Sequence, residues 1–237
     1  RPPAIADVKS TLVPFLDAAA AAGVEQVVFL SVAGAGTNKL VPHHAVEAHL
    51  AAGPLSWTIQ RPGFFAQNLG DAYLRDIVED DRLYVPAGHR GVTFVDVRDL
   101  ADLAVTFFTA PEAHRHKAYT LTGPEPVTFD EVATLLTRVT GRPIRYEAAS
   151  IVGYASHLRR RGLPWGQVAV QTVLHVGLRF GQAETVDPTL ASLLPRAPRT
   201  LAQYIADHRD LFVRGGPSPA ARREGFGPAA PSDSLRG

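Results

Sequence analysis

The chain of 237 residues carries 24 Lys and Arg against 23 Asp and Glu, a net charge of +1 that excludes the broad basic face of a nucleic-acid binder and any strong pull toward an anionic membrane. A hydrophobic share of 46% with 20% charged residues is ordinary for a soluble globular chain, long enough for one sizeable core or a domain with a small companion. The absence of Cys excludes disulfides, thiolate catalysis and Cys-based zinc sites, and no apolar run is long enough to span a bilayer.

In chain order, Arg1-Pro2-Pro3 reads as a turn leaving a strand. Asp7 then caps a helix over Val8–Ala22, in which Val8, Leu12, Phe15, Leu16 and Ala19 recur at helical spacing. Pro14 predicts a kink in it and Gly23 its stop. Val24–Ser31 is a continuous apolar strand of the type buried on both faces of a parallel sheet. Val32–Pro42 is a loop, His43–Ala52 a helix with Val46 and Leu50 inward, and Trp57–Arg61 the next strand. This alternation implies right-handed crossovers and a doubly wound sheet.

Phe64–Asp80 is predicted helical, followed by short strands at Leu83–Pro86 and Gly91–Val95 around a turn at Ala87–Arg90. Asp99 is expected to cap a helix over Leu100–Thr109, and Lys117–Leu121 is a strand. Thr128 to Glu131 forms a capping box that opens a helix running to Thr140 and stopped by Gly141, and Ile144–Tyr146 is a short strand. From Ile151 to Phe180 the pattern is helical, broken at Gly162–Gly166, and Asp187-Pro188 opens a short helix. A second capping box, Thr200 to Gln203, starts a helix through Phe212. Residues 213–237, rich in Gly, Pro, Ser and Arg from Gly215 onward, are predicted to be a disordered tail. No internal repeat is present.

The stretch Trp57–Asn68 reads as a late strand of a dinucleotide-binding fold running into its ligand loop. Yet no G-x-G-x-x-G or close relative follows a strand anywhere in the chain. A doubly wound sheet puts its first strand in the middle, so without it Val24–Ser31 keeps an exposed apolar edge. Either the numbered chain is a fragment of a longer protein, the reading favoured here, or another chain supplies the missing strands. The fold class expected is therefore α/β: a doubly wound parallel Rossmann-type sheet, N-terminally incomplete, with a small α+β C-terminal domain. Residues 1–121 form the first part, with 64–92 contributing to the companion, and 122–212 form the small substrate or lid domain. Val152, Leu158, Val168, Val170, Val173 and Leu174 give that lid more apolar surface than a short helix pair needs, although simple core packing explains them as well.

These residues carry a family resemblance. The run Gly23–Ser31, Val41-Pro42-His43 leading to Glu47, Thr58–Asn68, Phe94–Ala101 and Ala118–Pro124, preceded by Arg1-Pro2-Pro3, resembles the NmrA-like group of atypical short-chain dehydrogenases/reductases over roughly residues 1–212. The resemblance implies a domain binding NADP(H) or NAD(H). It also implies one of two roles: an oxidoreductase acting on a small quinone-like or carbonyl substrate, or a non-catalytic redox-sensing regulator. The cytoplasm is the default compartment. A homodimer is compatible with the chain, whose oligomeric state the sequence does not fix.

Ligands in open α/β sheets lie past the carboxyl ends of the strands, and this rule alone selects the neighbourhoods of Arg1 and Pro2, of Ser31 and Val32, and of Pro62, Gly63 and Phe64. Pro62-Gly63 would let the backbone approach a nicotinamide closely, with Phe64 or Phe65 packing on it. Phe65 and Asn68 face the substrate in this reading, and Asn68 caps the following helix in the alternative. Ser31 ends its strand where ordinary members of the superfamily place a catalytic Ser, but no Tyr occurs between Ser31 and Tyr73, so the usual Tyr-x-x-x-Lys is absent. The proton donors left are Lys39, eight residues before Glu47, and His43 and His44 at the helix start, of which Lys39 and His43 are the candidates taken. His43 and Glu47 are spaced for a helical pair. No third ligand stands at metal-binding spacing, so no metal is expected.

Overall fold

A computed structural model gives the fold of residues 8–214; the readings made at Arg1, Pro2, Asp7 and the tail from Gly215 lie outside the described residues. Helix α1 (Val8–Ala21) keeps Pro14 inside it and stops at Gly23, whose φ of 81° is the left-handed conformation that a helix-ending glycine takes without strain. Strand β1 (Gln26–Leu30), helix α2 (Pro42–Ala52) and strand β2 (Ser56–Pro62) follow as the alternation requires. β1 and β2 run parallel with Phe29 opposite Ile59.

The helix expected over Phe64–Asp80 is not continuous. Phe64–Phe65 form a short strand, β3, then Ala66–Gly70 make a 3-10 turn and only Leu74–Glu79 are α-helical (α3). The apolar residues there do recur at helical spacing. A parallel pairing of β3 with β5 (Val92–Val95) nevertheless claims the backbone of Phe64 and Phe65 first. The strands β4 (Arg82–Val85) and β5 do not pair with each other across the intervening turn. β4 pairs in parallel with β8 (Arg145–Ala148), and β5 also pairs antiparallel with β7 (Pro126–Val127).

Helix α4 (Val97–Thr109) is capped by Asp96 rather than Asp99, the Asp96 carboxylate accepting from Arg98 N. Asp99 is buried inside the first turn, where it receives Arg196 at 2.7 Å and the backbone N–H of Arg199 at 2.8 Å. A short α5 (Pro111–His114) leads to β6 (Lys117–Leu121), which completes a parallel sheet of order β1-β2-β6. At this corner His114 Nδ1 lies 2.9 Å from the Tyr119 hydroxyl, and its ring packs on Phe107.

Both capping boxes form as expected, Thr128 with Glu131 at the start of α6 (Phe129–Thr140) and Thr200 with Gln203 at the start of α10 (Leu201–Asp207). Between them lie α7 (Ile151–Arg160), α8 (Trp165–Arg179) and α9 (Thr189–Leu193), and α11 (Arg209–Phe212) ends the described chain. The apolar residues of the α7–α8 pair divide. Leu158 and Val168 belong to the core, whereas Val152, Val170, Val173 and Leu174 are exposed. The core is likewise divided. One cluster gathers Leu16, Val46, Leu50 and Leu55 under α1 and α2, and a second gathers Val95, Leu103, Phe107 and Leu121 beneath α4. The largest draws on Leu69, Ile77, Leu83, Phe94, Phe129, Tyr204 and their neighbours, from the turn after β3 to α11. Among the described residues no helix is long and apolar enough to cross a membrane.

Candidate functional site

The carboxyl ends of β1, β2 and β6 meet at one place. Ser31 N donates to Gln60 O and Ala33 N to Pro62 O, so the β1–β2 ladder extends into the loop after β1. Gly63 N donates to Leu121 O at 2.9 Å, tying the loop after β2 to the end of β6. A Cβ at Gly63 would meet nothing closer than Thr122 Cγ2 at 3.6 Å. The protein's own packing therefore does not demand glycine there.

The floor of this place is ionic. Glu47 is 5% exposed, and its carboxylate accepts from the Ser31 hydroxyl at 2.5 Å and from Arg61 through Nε at 3.1 Å and Nη2 at 2.6 Å. Such a buried carboxylate requires all of these partners, because an uncompensated charge away from water is costly. Gly36 lies flat on the Arg61 guanidinium: a Cβ added there would fall 2.6 Å from its central carbon. His44 completes the clamp, its Nδ1 lying 2.8 Å from Ala35 O. The loop after β1 is thus fixed at Ser31, Ala33, Ala35 and Gly36. Glu47 does not form the expected helical pair with His43. It faces the sheet, and spacing along a helix gives proximity without direction.

His43 stands at the start of α2, half-buried, its ring 6.1 Å from that of Phe29. Its Nδ1 is buried and has no hydrogen-bond partner among the described residues. Burial lowers its pKa, against the nearby Glu47 charge that raises it, so the imidazole is neutral near pH 7. Lys39 is exposed, and among the described residues its ammonium has no partner. Val32 is half-buried and Pro62 buried in the same region.

Phe64 and Phe65 diverge, as successive strand residues must. Phe64 turns to the large core, edge-on to Phe94 at 5.5 Å and to His175 at 6.0 Å. Phe65 packs on the cluster beneath α4. The Asn68 side chain caps no helix, since α3 begins after Tyr73 without a side-chain cap. Next to it Gln67 donates to Asp96 at 3.0 Å and accepts from Val97 N at 3.2 Å, pinning the turn to the start of α4.

Two residues that the sequence reading did not single out are buried behind Phe64. The Tyr73 hydroxyl makes a short hydrogen bond with His175 Nε2, and His175 Nδ1 lies 2.6 Å from Gln171 O. The second contact requires a proton on Nδ1, so Nε2 is the acceptor and Tyr73 the donor. Burial pushes the His175 pKa down to about 4 and that of Tyr73 well up, so both are neutral. A lone His within the otherwise uncharged run Trp165–Leu178 was the one signal in the sequence. Among the described residues no group of three or more His, Asp or Glu side chains is placed to hold a metal ion.

A family model described as the NmrA-like family matches residues 11–205. The chain is 31% identical over 216 residues to an agroclavine dehydrogenase of Claviceps fusiformis, a match covering 89% of this chain and 74% of that protein. It is 32% identical over 158 residues to an NAD(P)H azoreductase of Xenophilus azovorans, covering 67% of this chain and 54% of that protein, so the chain spans about half the azoreductase. Its fold superposes on an NADPH-dependent quinone oxidoreductase of Escherichia coli, solved in complex with NADPH, with a TM-score of 0.72 and 26% identity, over 82% of this chain and 69% of that one.

Proposed function

The chain belongs to the NmrA-like family, and from that premise we propose that it is an NAD(P)H-dependent oxidoreductase acting on a small quinone-like or carbonyl substrate. The observation that carries the reading is His43: a neutral imidazole whose buried Nδ1 has no partner among the described residues, set where the carboxyl ends of parallel strands meet. A buried nitrogen without a partner costs free energy unless a ligand supplies the hydrogen bond. The homologues named above are NAD(P)H-dependent or dehydrogenase enzymes, in keeping with this site.

When bound, a nicotinamide dinucleotide supplies hydride, and the protein orients the ring and excludes water. Ser31, Val32, Pro62, Gly63 and Phe64 would hold it, with His43 bonding to its ribose or to the substrate carbonyl. Phe65 and Asn68 would border the substrate. The hydroxyl of Ser31 is engaged by Glu47 and its N–H by Gln60 O, so Ser31 fixes the loop. Of the two proton-donor candidates, His43 is favoured over Lys39, because only His43 is confined by the fold. The regulator reading has one observation in its favour, the missing Tyr-x-x-x-Lys. The cytoplasm is the compartment proposed, and sedimentation would test a homodimer.

The experiment is NADPH consumption with 1,4-naphthoquinone as acceptor, together with NADPH binding by calorimetry. Turnover is expected. His43→Phe should raise the KM for NADPH or quinone about tenfold, the worth of one hydrogen bond to a buried group, while Lys39→Ala stays within about twofold. NADPH binding without turnover would establish the regulator instead, and absence of both would overturn the dinucleotide reading.

A further inference from the structure

A half-open cleft lies away from the strand ends. The start of α3, strand β4 and the α7–α8 pair surround a cavity of about 300 Å³, lined by Tyr73, Tyr84, Tyr154, Leu158, Leu163 and Gln171 among others. Its size is at the lower bound for small-molecule pockets, roughly 300 Å³, and its wall joins an aromatic and aliphatic side to an ionic one made of Asp71, Arg75, Asp76, His157 and Arg161.

The polar groups sort into two sets. The ionic ones are already matched: Asp76 accepts from His157 at 2.7 Å and from Arg161 at 2.6 Å, and Arg161 also reaches Glu79 at 2.9 Å and Asp80 at 2.8 Å. Arg75 is paired with Glu79, and Asp71 lies at the exposed rim. Of the neutral ones, the Tyr73 hydroxyl is held by His175 and three are free. Tyr154 is only 2% exposed, yet among the described residues its hydroxyl has no hydrogen-bond partner, and neither do the Tyr84 hydroxyl and the Gln171 amide. The Tyr154 hydroxyl keeps its small accessible surface at this cleft, so it is open to a hydrogen bond from a molecule seated there. Burial raises the Tyr154 pKa, which keeps that hydroxyl protonated and able to donate.

We propose that this cavity binds a small, uncharged aromatic molecule carrying a hydroxyl or carbonyl group, its ring among Tyr73, Tyr84, Leu158 and Leu163 and its polar group on Tyr154 and Gln171. The matched ion pairs leave no net charge for a charged ligand to answer, and three phenol rings favour a planar aromatic one. This site is distinct from the one at the strand ends but shares a wall with it: Tyr73 lines the cavity, its hydroxyl is held by His175, and the His175 ring meets Phe64.

The test is calorimetric titration of the full chain with 1-naphthol in the absence of any dinucleotide, so that it stands whether or not the oxidoreductase reading does. Saturable binding at one site per chain is expected. Tyr154→Phe removes only a hydroxyl, and Gln171→Leu changes a half-buried side chain outside the core. Each should weaken binding about tenfold, the equivalent of one hydrogen bond. Leu158→Trp fills the cavity and should abolish binding while the protein still melts cooperatively. Absence of saturable binding by the natural chain, or equal affinity in Tyr154→Phe and Gln171→Leu, would overturn the proposal.

Discussion

At the scale of single residues the site is organised by one buried carboxylate. Glu47 holds Ser31 at the end of β1 and Arg61 at the end of β2, and Arg61 in turn supports Gly36. Glu47→Gln keeps the shape but removes the charge, leaving Arg61, about one quarter exposed, without its counter-ion. Breaking a fully buried pair costs about 3–5 kcal/mol, and the partial exposure of Arg61 reduces this to about 2–3 kcal/mol. The urea midpoint should fall accordingly, and an unchanged midpoint would show that the network contributes no stability. Gly36→Ala should disturb the same network from the other side, because its Cβ displaces a guanidinium that Glu47 holds in place. Much of this was within reach of the sequence. Glu47 sits three residues before inward-facing Leu50, so one helix face carried both core and carboxylate. The partner went unread because Arg61 lies in a strand fourteen residues away, and only the parallel pairing of β1 with β2 brings the two elements together.

At the scale of elements, local signals were reliable wherever local chemistry decides. The capping box at Thr128 forms because its donors and acceptors lie within one turn, and its removal has a predictable cost. Thr128→Ala should lose about 1 kcal/mol, a drop in melting temperature of roughly 2–4 °C for a chain of this size. Calorimetric melting checks it; no shift would mean that α6 is held by its buried face alone. Local pattern failed at Phe64–Asp80 for the complementary reason. There the spacing is helical, but a non-local ladder to β5 takes Phe64 and Phe65, and the turn that follows is fixed by Gln67 on Asp96. The same irregularity places Tyr73 against α8. Tyr73→Phe keeps the ring contacts with Phe129 and His175 but removes the hydrogen bond. Protease cleavage in α8 should therefore become faster with little change in secondary structure, and unaltered cleavage would show that packing alone holds the helix.

At the scale of the whole molecule, the pattern of parallel strands and crossover helices was legible, but the run Val24–Ser31, expected to be buried on both faces, forms an edge strand among the described residues, with Gln26 to Phe29 half-buried and Leu30 exposed. The way the large core threads together the turn after β3, the strands β4 and β5, and the helices α6 to α11 was not legible, because it depends on contacts spanning more than a hundred residues. His175 lies at the meeting point of that core with the strand-end site, and it makes the fold pH-dependent in a definite window. Burial lowers its pKa to about 4 in the folded chain, from the usual imidazole value of 6.5. Between these values the unfolded chain binds the proton and the folded chain does not, so stability falls as pH drops from about 6.5 to about 4. The full difference amounts to about 3 kcal/mol. Tyr73 and Tyr154, the titratable groups packed on the ring, stay protonated throughout, since burial raises both. Carboxylates with lowered pKa, among them Asp96 and Glu147, behave in the opposite way: their contribution is present above the usual carboxylate range and is lost only below it. Urea unfolding at pH 7 and at pH 4.5 should therefore show a marked acid loss in the natural chain and a much smaller one in His175→Gln. Equal losses in the two proteins would mean that His175 is not the group that couples acid to unfolding.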